Sequence, residues 1–429
     1  NFLTTANLGK FDLLVGNPPW VDWKSLPSNY RDRIKSLCIS RKLFSGDVVT
    51  GGINLNICAL ITNVIAQNWL SDTGVIALLM PEPLVFQQSY EGFRNLYLDD
   101  DIRLYFYKFV NWNKAGHPFK GVSQKFLTYY IRREKVDYDA GVPVIDYIKK
   151  PKLSIDDMEI IDVDYSFDIN HRLLATCHPE KNFFTYVSDT TTAMYYRKMA
   201  GLSPYVGREG IEFYPQELMV FKLSNMPSKG KLTALDNMQN KKSKYKVPKR
   251  TVLLETEFLH PMVKGKDITP FHVELSDHIV PFPYNESNPQ VPIVLDELSK
   301  QAPKLARYYI DNKSLLVSQT GYADRIIGKK DAEFYALARV GAYSYAKYYV
   351  AFRDNTKWAA AVVTEVDTPW GGLKRPVFQN HAVSICERDD ESFITLDEAH
   401  YICGILNTNI VAKYMETSSD ARSFPIRPR

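Results

Sequence analysis

The chain has 429 residues, enough for two or three domains at ~100–200 residues each. Its 53 Lys and Arg stand against 49 Asp and Glu, a formal charge of +4, and 45% of its residues are apolar, which excludes a disordered or collagen-like chain. Such a balance permits nucleic-acid binding without arguing for it.

Cys38, Cys58, Cys177, Cys386 and Cys403 are odd in number and no two form a C-x-x-C pair, so neither a zinc knuckle nor a disulfide framework is expected. Buried free thiols in a reducing cytoplasm are the expectation. No apolar run reaches the ~20 residues that cross a bilayer, and no secretory signal is visible, so no membrane partner is expected. The chain opens without Met, inside what reads as a structural element, and is expected to be the C-terminal part of something longer.

Residues 11–15 form an apolar run closed by Gly16 and predict a buried strand ending in a tight turn. Ile57, Ile61, Val64 and Ile65 recur at helical spacing and predict a helix over 54–70. Gly74 resets the chain before a second buried strand over 75–80, and a shorter helix is expected over 89–98. Strands over 102–109 and 125–131 flank an Asn-, Gly- and Pro-rich loop over 111–121. This order reads as half of an open α/β sheet with an antiparallel pair at one edge. In such sheets ligands gather at the carboxyl ends of the strands, where Asn17 falls.

After Arg133 the pattern changes. The segment 136–170, acidic and carrying Pro143 and Pro151, reads as a connector. Strands and loops without strong helical periodicity follow, with a helix expected over 401–414. The expected division is therefore a half-sheet over 1–135, a connector over 136–170, and a second, mixed α/β domain over 171–429.

Asn17-Pro18-Pro19-Trp20 is the feature that carries chemistry. Consecutive prolines fix φ and remove two N–H donors, and the residue before each is pushed away from helix. The turn is thus stiff and rich in acceptors. The Asn17 amide oxygen and the Pro18 carbonyl can hold both hydrogens of a flat –NH₂ group, drawing its nitrogen towards tetrahedral geometry and exposing the lone pair to a methyl donor. Trp20 can stack on the base that bears the amine. A base inside a duplex must first be flipped out, at a cost of ~2–4 kcal/mol, and stacking returns ~1–3 kcal/mol. The bland alternative is a proline-stiffened turn with a packed Trp.

The stretch from Phe11 to Trp20 resembles the catalytic motif of the amino-adenine DNA methyltransferases. Gly51-Gly52-Ile53-Asn54-Leu55, Thr73-Gly74-Val75-Ile76-Ala77-Leu78-Leu79-Met80-Pro81 and Phe119-Lys120-Gly121-Val122 resemble that family's following segments, in order and spacing. The resemblance implies a fold that is the second half of a doubly wound methyltransferase sheet. It also implies S-adenosylmethionine as methyl donor, duplex DNA with a flipped adenine as substrate, and Phe119 closing the other side of the base against Trp20.

Family members with Asn in this motif hold the donor on a Gly-rich turn after an earlier strand, and none precedes Asn17. Val340-Gly341-Ala342 and Ile402-Cys403-Gly404 are weak imitations, so the donor's cradle is expected upstream and the chain alone is expected to be inactive.

The second half, over about 190–429, is more loosely similar to the target-recognition regions of large restriction–modification enzymes. The similarity rests on Tyr205-Val206-Gly207-Arg208-Glu209-Gly210, Lys264-Gly265-Lys266-Asp267-Ile268 and Gly404-Ile405-Leu406-Asn407-Thr408. In those enzymes a nuclease often shares the polypeptide.

Independently of resemblance, Lys229, Lys231, Lys241, Lys242, Lys244, Lys246, Lys249 and Arg250 sit among few acids. Such a loop could neutralise phosphates, or be an ordinary solvated loop. Lys304, Arg307, Arg325, Arg339, Lys347 and Arg353, amid Tyr343, Tyr345, Tyr348 and Tyr349, could line a groove, although alternating tyrosines are ordinary in strands. His260, His272, His278, His381 and His400 have no metal-ligand spacing, and no carboxylate–lysine set for a nuclease is found. Two other classes stay open: a DNA-binding module without catalysis, and a protein-glutamine methyltransferase using a similar Asn-Pro-Pro turn.

Overall fold

A computed structural model describes residues 8–44, 55–98, 102–116, 124–151, 163–226, 230–240, 245–318, 333–353 and 357–418. The chain divides into two units, Asn1–Leu202 with Thr417–Pro425, and Ser203–Glu416 with Ile426–Arg429.

Unit 1 is built on a seven-stranded mixed sheet. Its strands are β1 (Phe11–Gly16), β2 (Leu70–Pro81), β3 (Tyr105–Lys114), β4 (Phe126–Arg132), β5 (Val142–Lys149), β6 (Phe167–Thr176) and β7 (Phe184–Val187), in the order β1-β2-β4-β3-β5-β6-β7. The β1–β2 pair is parallel, and β4 runs antiparallel to both β2 and β3. Helices α1 (Ser28–Ser40) and α2 (Ile57–Trp69) join β1 to β2.

Helix α2 buries residues on nearly every side, among them Ile57, Leu60, Ile61 and Val64, as expected of a helix enclosed in a core. Asn56 caps it by accepting from the Cys58 N–H. Along β2, Ile76, Leu78 and Met80 are buried and alternate with half-buried neighbours, the two-residue period of a strand packed hard on one face.

Several expectations are corrected. β1 is not buried: among the described residues it pairs with β2 alone, and Phe11, Leu13 and Val15 are 43%, 59% and 72% exposed. β2 begins at Leu70 rather than after Gly74, because the register with β1 slips between Phe11 and Leu13 and keeps the extra residues in the strand. A Cβ on Gly74 would stand 2.9 Å from the Phe11 carbonyl oxygen, so the glycine permits this close pairing rather than ending an element. The helix over 89–98 is only a turn, Glu91–Asn95, after which Leu96 takes φ 28°.

The antiparallel pair is not at an edge, because β5 runs parallel to β3 and carries β6 and β7 beyond it. The segment 136–170 therefore contributes strands to the first sheet instead of connecting two domains. The division falls at 202/203 rather than near 170. Helix α1 carries no strong apolar stripe, with only Ile34 and Cys38 buried, and escaped a reading based on periodicity.

Unit 2 is also mixed α/β. Its strands are β8 (Tyr205–Arg208), β9 (Phe221–Leu223), β10 (Leu232–Asn237), β11 (Thr251–Glu255), β12 (Leu259–Val263), β13 (Ile268–Thr269), β14 (His272–Val273), β15 (Ile279–Pro281), β16 (Tyr349–Arg353), β17 (Ala360–Val363), β18 (Val366–Asp367), β19 (Leu373–Lys374), β20 (Val377–Phe378) and β21 (Ala382–Arg388). One sheet runs β11-β10-β9-β15-β12-β20 and another β17-β16-β21-β8. Helices Leu295–Gln301 and Pro303–Asp311, not foreseen, pack Leu298, Leu305 and Tyr309 into the core beside the first sheet. The helix expected over 401–414 is two, Leu396–Leu406 and Asn409–Thr417, and the first opens with Thr395 and Glu398 in a reciprocal cap.

All five cysteines are buried and free, and burial raises the thiol pKa of each, Cys38 and Cys386 to about 12. These are inert core residues. No helix among the described residues is long and apolar enough to cross a membrane.

Candidate functional site

The turn after β1 is held from both sides. Before it, Gly16 pairs with Leu78 of β2. After it, Val21 accepts the Ile57 N–H at 2.9 Å, Trp23 donates to the Leu55 carbonyl at 2.6 Å, and the Asn56 amide donates to Asp22 at 3.0 Å. The start of α2 thus clamps the exit of the turn. Within it Asn17 is exposed, Pro18 buried, Pro19 exposed and Trp20 half-buried.

The Trp20 indole N–H donates to the Leu79 carbonyl at 3.0 Å, and its ring lies 5.5 Å from that of Phe126, tilted by 36°. Both contacts come from neighbouring strands, so the plane of the indole is set by the sheet. Phe119, expected opposite Trp20, lies outside the described residues.

At the end of β2 lies a buried polar network that the sequence did not single out. Glu82, 3% exposed and directly after β2, accepts the Asn113 amide at 2.8 Å and the Tyr186 hydroxyl at 3.0 Å on one carboxylate oxygen. Asn113 in turn accepts the Phe126 backbone N–H at 3.0 Å, linking the carboxylate to the strand that carries Trp20's neighbour. On the other side Asp146 receives Asn111 at 2.7 Å and a two-pronged Arg172 at 2.6 and 2.7 Å. The Arg172 guanidinium sits 3.5 Å over the Tyr186 ring. Burial and then the Glu82 charge push the Tyr186 hydroxyl well above its ordinary pKa, so it stays a neutral donor.

Arg94, fully enclosed, donates to the carbonyls of Leu84, Gln87 and Asn182, and burial lowers it to about 9. It closes the segment after β2 from within. Pro81-Glu82-Pro83, at the carboxyl end of a central strand, was the available signal for this network.

In unit 2 the basic loop joins β10 to β11, an antiparallel pair. Lys241, Lys242 and Lys244 lie outside the described residues, as do Lys229 and Arg325. Lys246 and Lys249 are exposed. Arg250 is engaged within the fold: it donates to Asn312 at 2.6 Å and lies 5.1 Å over the Tyr308 ring, so its guanidinium is a packing element.

Of the Arg and Tyr residues that could have lined a groove, Arg339, Tyr343 and Tyr349 line one pocket with Arg208 and Glu209, and the other described ones are ordinary packing or surface residues. Arg307 pairs with Asp311, Arg339 pairs with Glu209 and Glu212, and Tyr345 and Tyr349 are buried. Among the described residues no group of three or more His, Cys, Asp or Glu could hold a metal ion.

No protein-family model matches the chain, and no curated protein does. Among solved structures, 96% of the chain matches 45% of the Type IIL restriction-modification enzyme MmeI, solved in complex with DNA, with TM-score 0.52 and 10% identity. Weaker likenesses include a nuclease-deletion mutant of the Type ISP enzyme LlaGI in complex with a DNA substrate mimic (TM-score 0.43, 12% identity, 96% of this chain and 33% of that one). Another is the type IIG restriction endonuclease BpuSI (TM-score 0.29, 13% identity, 96% and 44%). The chain spans less than half the length of each of these. At such identity the MmeI likeness speaks for a shared mixed α/β fold.

Proposed function

We propose that this chain carries the acceptor side of an S-adenosylmethionine-dependent methyltransferase acting on adenine N6 in duplex DNA, joined to a DNA-binding target-recognition unit, within a restriction–modification or phage-defence enzyme. The observation that carries the reading is the turn itself. Asn17 is exposed at the carboxyl end of a parallel strand, and Trp20 three residues on has its indole pinned by Leu79 and Phe126. The shared fold with a restriction-modification enzyme solved with DNA supports it.

In this reading the Asn17 side-chain oxygen and the Pro18 carbonyl accept the two amine hydrogens of a flipped adenine. Trp20 stacks on the ring, with Phe119 as the opposing aromatic. Because the turn is stiff and clamped by β2 and α2, its acceptors need little reorganisation as the nitrogen becomes pyramidal.

The residues here do not fit the methyl donor. The turn after β1 offers two prolines in place of backbone N–H donors, and no Gly-rich strand–turn–helix accompanies it. No step is therefore routed through the donor, whose cradle this reading assigns to a segment outside these 429 residues.

The test is Asn17→Ala in the full-length protein that contains this chain. Loss of one of the two amine acceptors predicts a fall of about 10²–10³-fold in methyl transfer to adenine, with duplex affinity nearly unchanged. An equal loss of DNA binding would show Asn17 to be structural, and undiminished transfer would remove the reading.

A further inference from the structure

The charged residues that the fold gathers in unit 2 lie largely outside the basic loop. Ile279 of β15 pairs with Phe221 of β9, so one step along brings Lys222 level with His278. His278 lies level with Met262 of β12, whose N–H donates to the His278 carbonyl at 2.9 Å, and Lys264 follows two residues after Met262. Lys266 stands two further on, in the tight turn Gly265–Asp267. Lys222 is thus brought beside Lys264 and Lys266, far from it in sequence, at one end of three adjacent strands. Each lies close enough for its charge to act on His278, and those of Lys266 and Lys222 act on Lys264.

The turn that presents them is rigidly built. Asp267 is buried and accepts the Lys264 backbone N–H at 2.8 Å and the Ser276 hydroxyl at 2.7 and 2.8 Å. Ser276 gives its proton to Asp267, so His278 Nδ1, 2.9 Å from the same oxygen, must be the donor there. A Cβ on Gly265 would stand 2.6 Å from the His381 carbonyl oxygen, so the turn lies directly on the backbone beside it.

The acids nearby are engaged or exposed. Asp267 is occupied as described, and Asp236, opposite Lys222 in the β9–β10 register, accepts the Thr251 hydroxyl. Asp277 and Glu274 are exposed. Among the described residues none of the three lysines forms an ion pair. Like charges crowded together around a buried imidazole cost free energy unless an anion joins them. Burial and the three lysine charges hold His278 down at about 4, so it adds no positive charge of its own at neutral pH.

We infer that Lys222, Lys264 and Lys266 form a phosphate-binding cradle for the backbone of duplex DNA, anchoring the strand without reading its sequence. This rests on the DNA-binding part of the reading above, not on its methyl-transfer chemistry.

The test is titration of the full-length protein with a fluorescein-labelled duplex of mixed sequence, across salt concentrations. In Lys222→Gln/Lys264→Gln/Lys266→Gln the slope of log K against log salt should fall by ~2.7, close to 0.9 for each phosphate no longer neutralised. This removes roughly 40-fold of the affinity change between about 50 and 200 mM salt. The Lys→Arg triple variant should keep the slope, and Lys300→Gln, at an exposed helical position whose charge does not act on the cluster, should leave it unchanged. If the triple variant does not fold, Lys266→Gln alone, at an exposed position, should lower the slope by ~0.9.

A wild-type protein that binds the duplex with a slope unmoved by these variants overturns the cradle and leaves the DNA-binding reading standing. A wild-type protein with no salt-dependent duplex binding overturns both.

Discussion

Glu82→Ala tests whether this buried carboxylate organises the polar network around it. The carboxylate is buried and one of its oxygens takes both the Asn113 amide and the Tyr186 hydroxyl. Truncation orphans the buried Tyr186 hydroxyl and the half-buried Asn113 amide, at up to ~1–3 kcal/mol each. Removing the carboxylate also removes its own desolvation cost, which brings the expected net loss to about 3 kcal/mol. Equilibrium urea unfolding followed by far-UV circular dichroism reads this directly.

Adding Tyr186→Phe removes one of the orphans, so the double variant should recover about 1 kcal/mol relative to Glu82→Ala. Glu82→Gln keeps an acceptor and should fall between wild type and Glu82→Ala. A loss below about 1 kcal/mol for Glu82→Ala, or no recovery in the double variant, would refute the claim that this carboxylate organises the network.

His260 makes unit 2 sensitive to acid. Its Nδ1 lies 2.8 Å from the Arg375 carbonyl, and burial lowers its pKa from 6.5 to about 4. The unfolded chain therefore takes up a proton first. The neutral ring's contribution is full above pH ~6.5, is lost progressively as pH falls towards 4, and is constant below that. Between pH 7 and 5 this removes up to about 2 kcal/mol, which denaturant titrations at the two pH values measure, and His260→Gln should roughly halve the dependence, because His278, likewise lowered to about 4, supplies the rest. Gly265→Ala drives a methyl to within 2.6 Å of the His381 carbonyl oxygen. It should cost about 1–3 kcal/mol in thermal or denaturant unfolding, and an unchanged stability would show that the backbone there yields freely.

Local signals in the sequence place β1, α2, β2 and β4: an apolar run closed by Gly16, apolar residues at helical spacing from Ile57, the run after Gly74 and the run over 125–131. The Asn17-Pro18-Pro19-Trp20 turn is legible too, since prolines act through their own φ and missing donors wherever they stand.

Tertiary structure decided the rest. Whether β1 is buried depends on how many neighbours it has, which no window of residues encodes. The segment 136–170 looked like a connector because acids and prolines punctuate it, yet β5 and β6 pair through backbone groups that every residue carries. Arg250 resembled its lysine neighbours until Asn312 and Tyr308 were placed beside it. Glu82 with Tyr186, and Lys222 with Lys264, are separated in sequence and meet only through strand register. Composition and spacing thus marked one stiff turn, while the buried charges of Glu82 and Asp146, and the lysines gathered elsewhere, were fixed by which strands lie side by side.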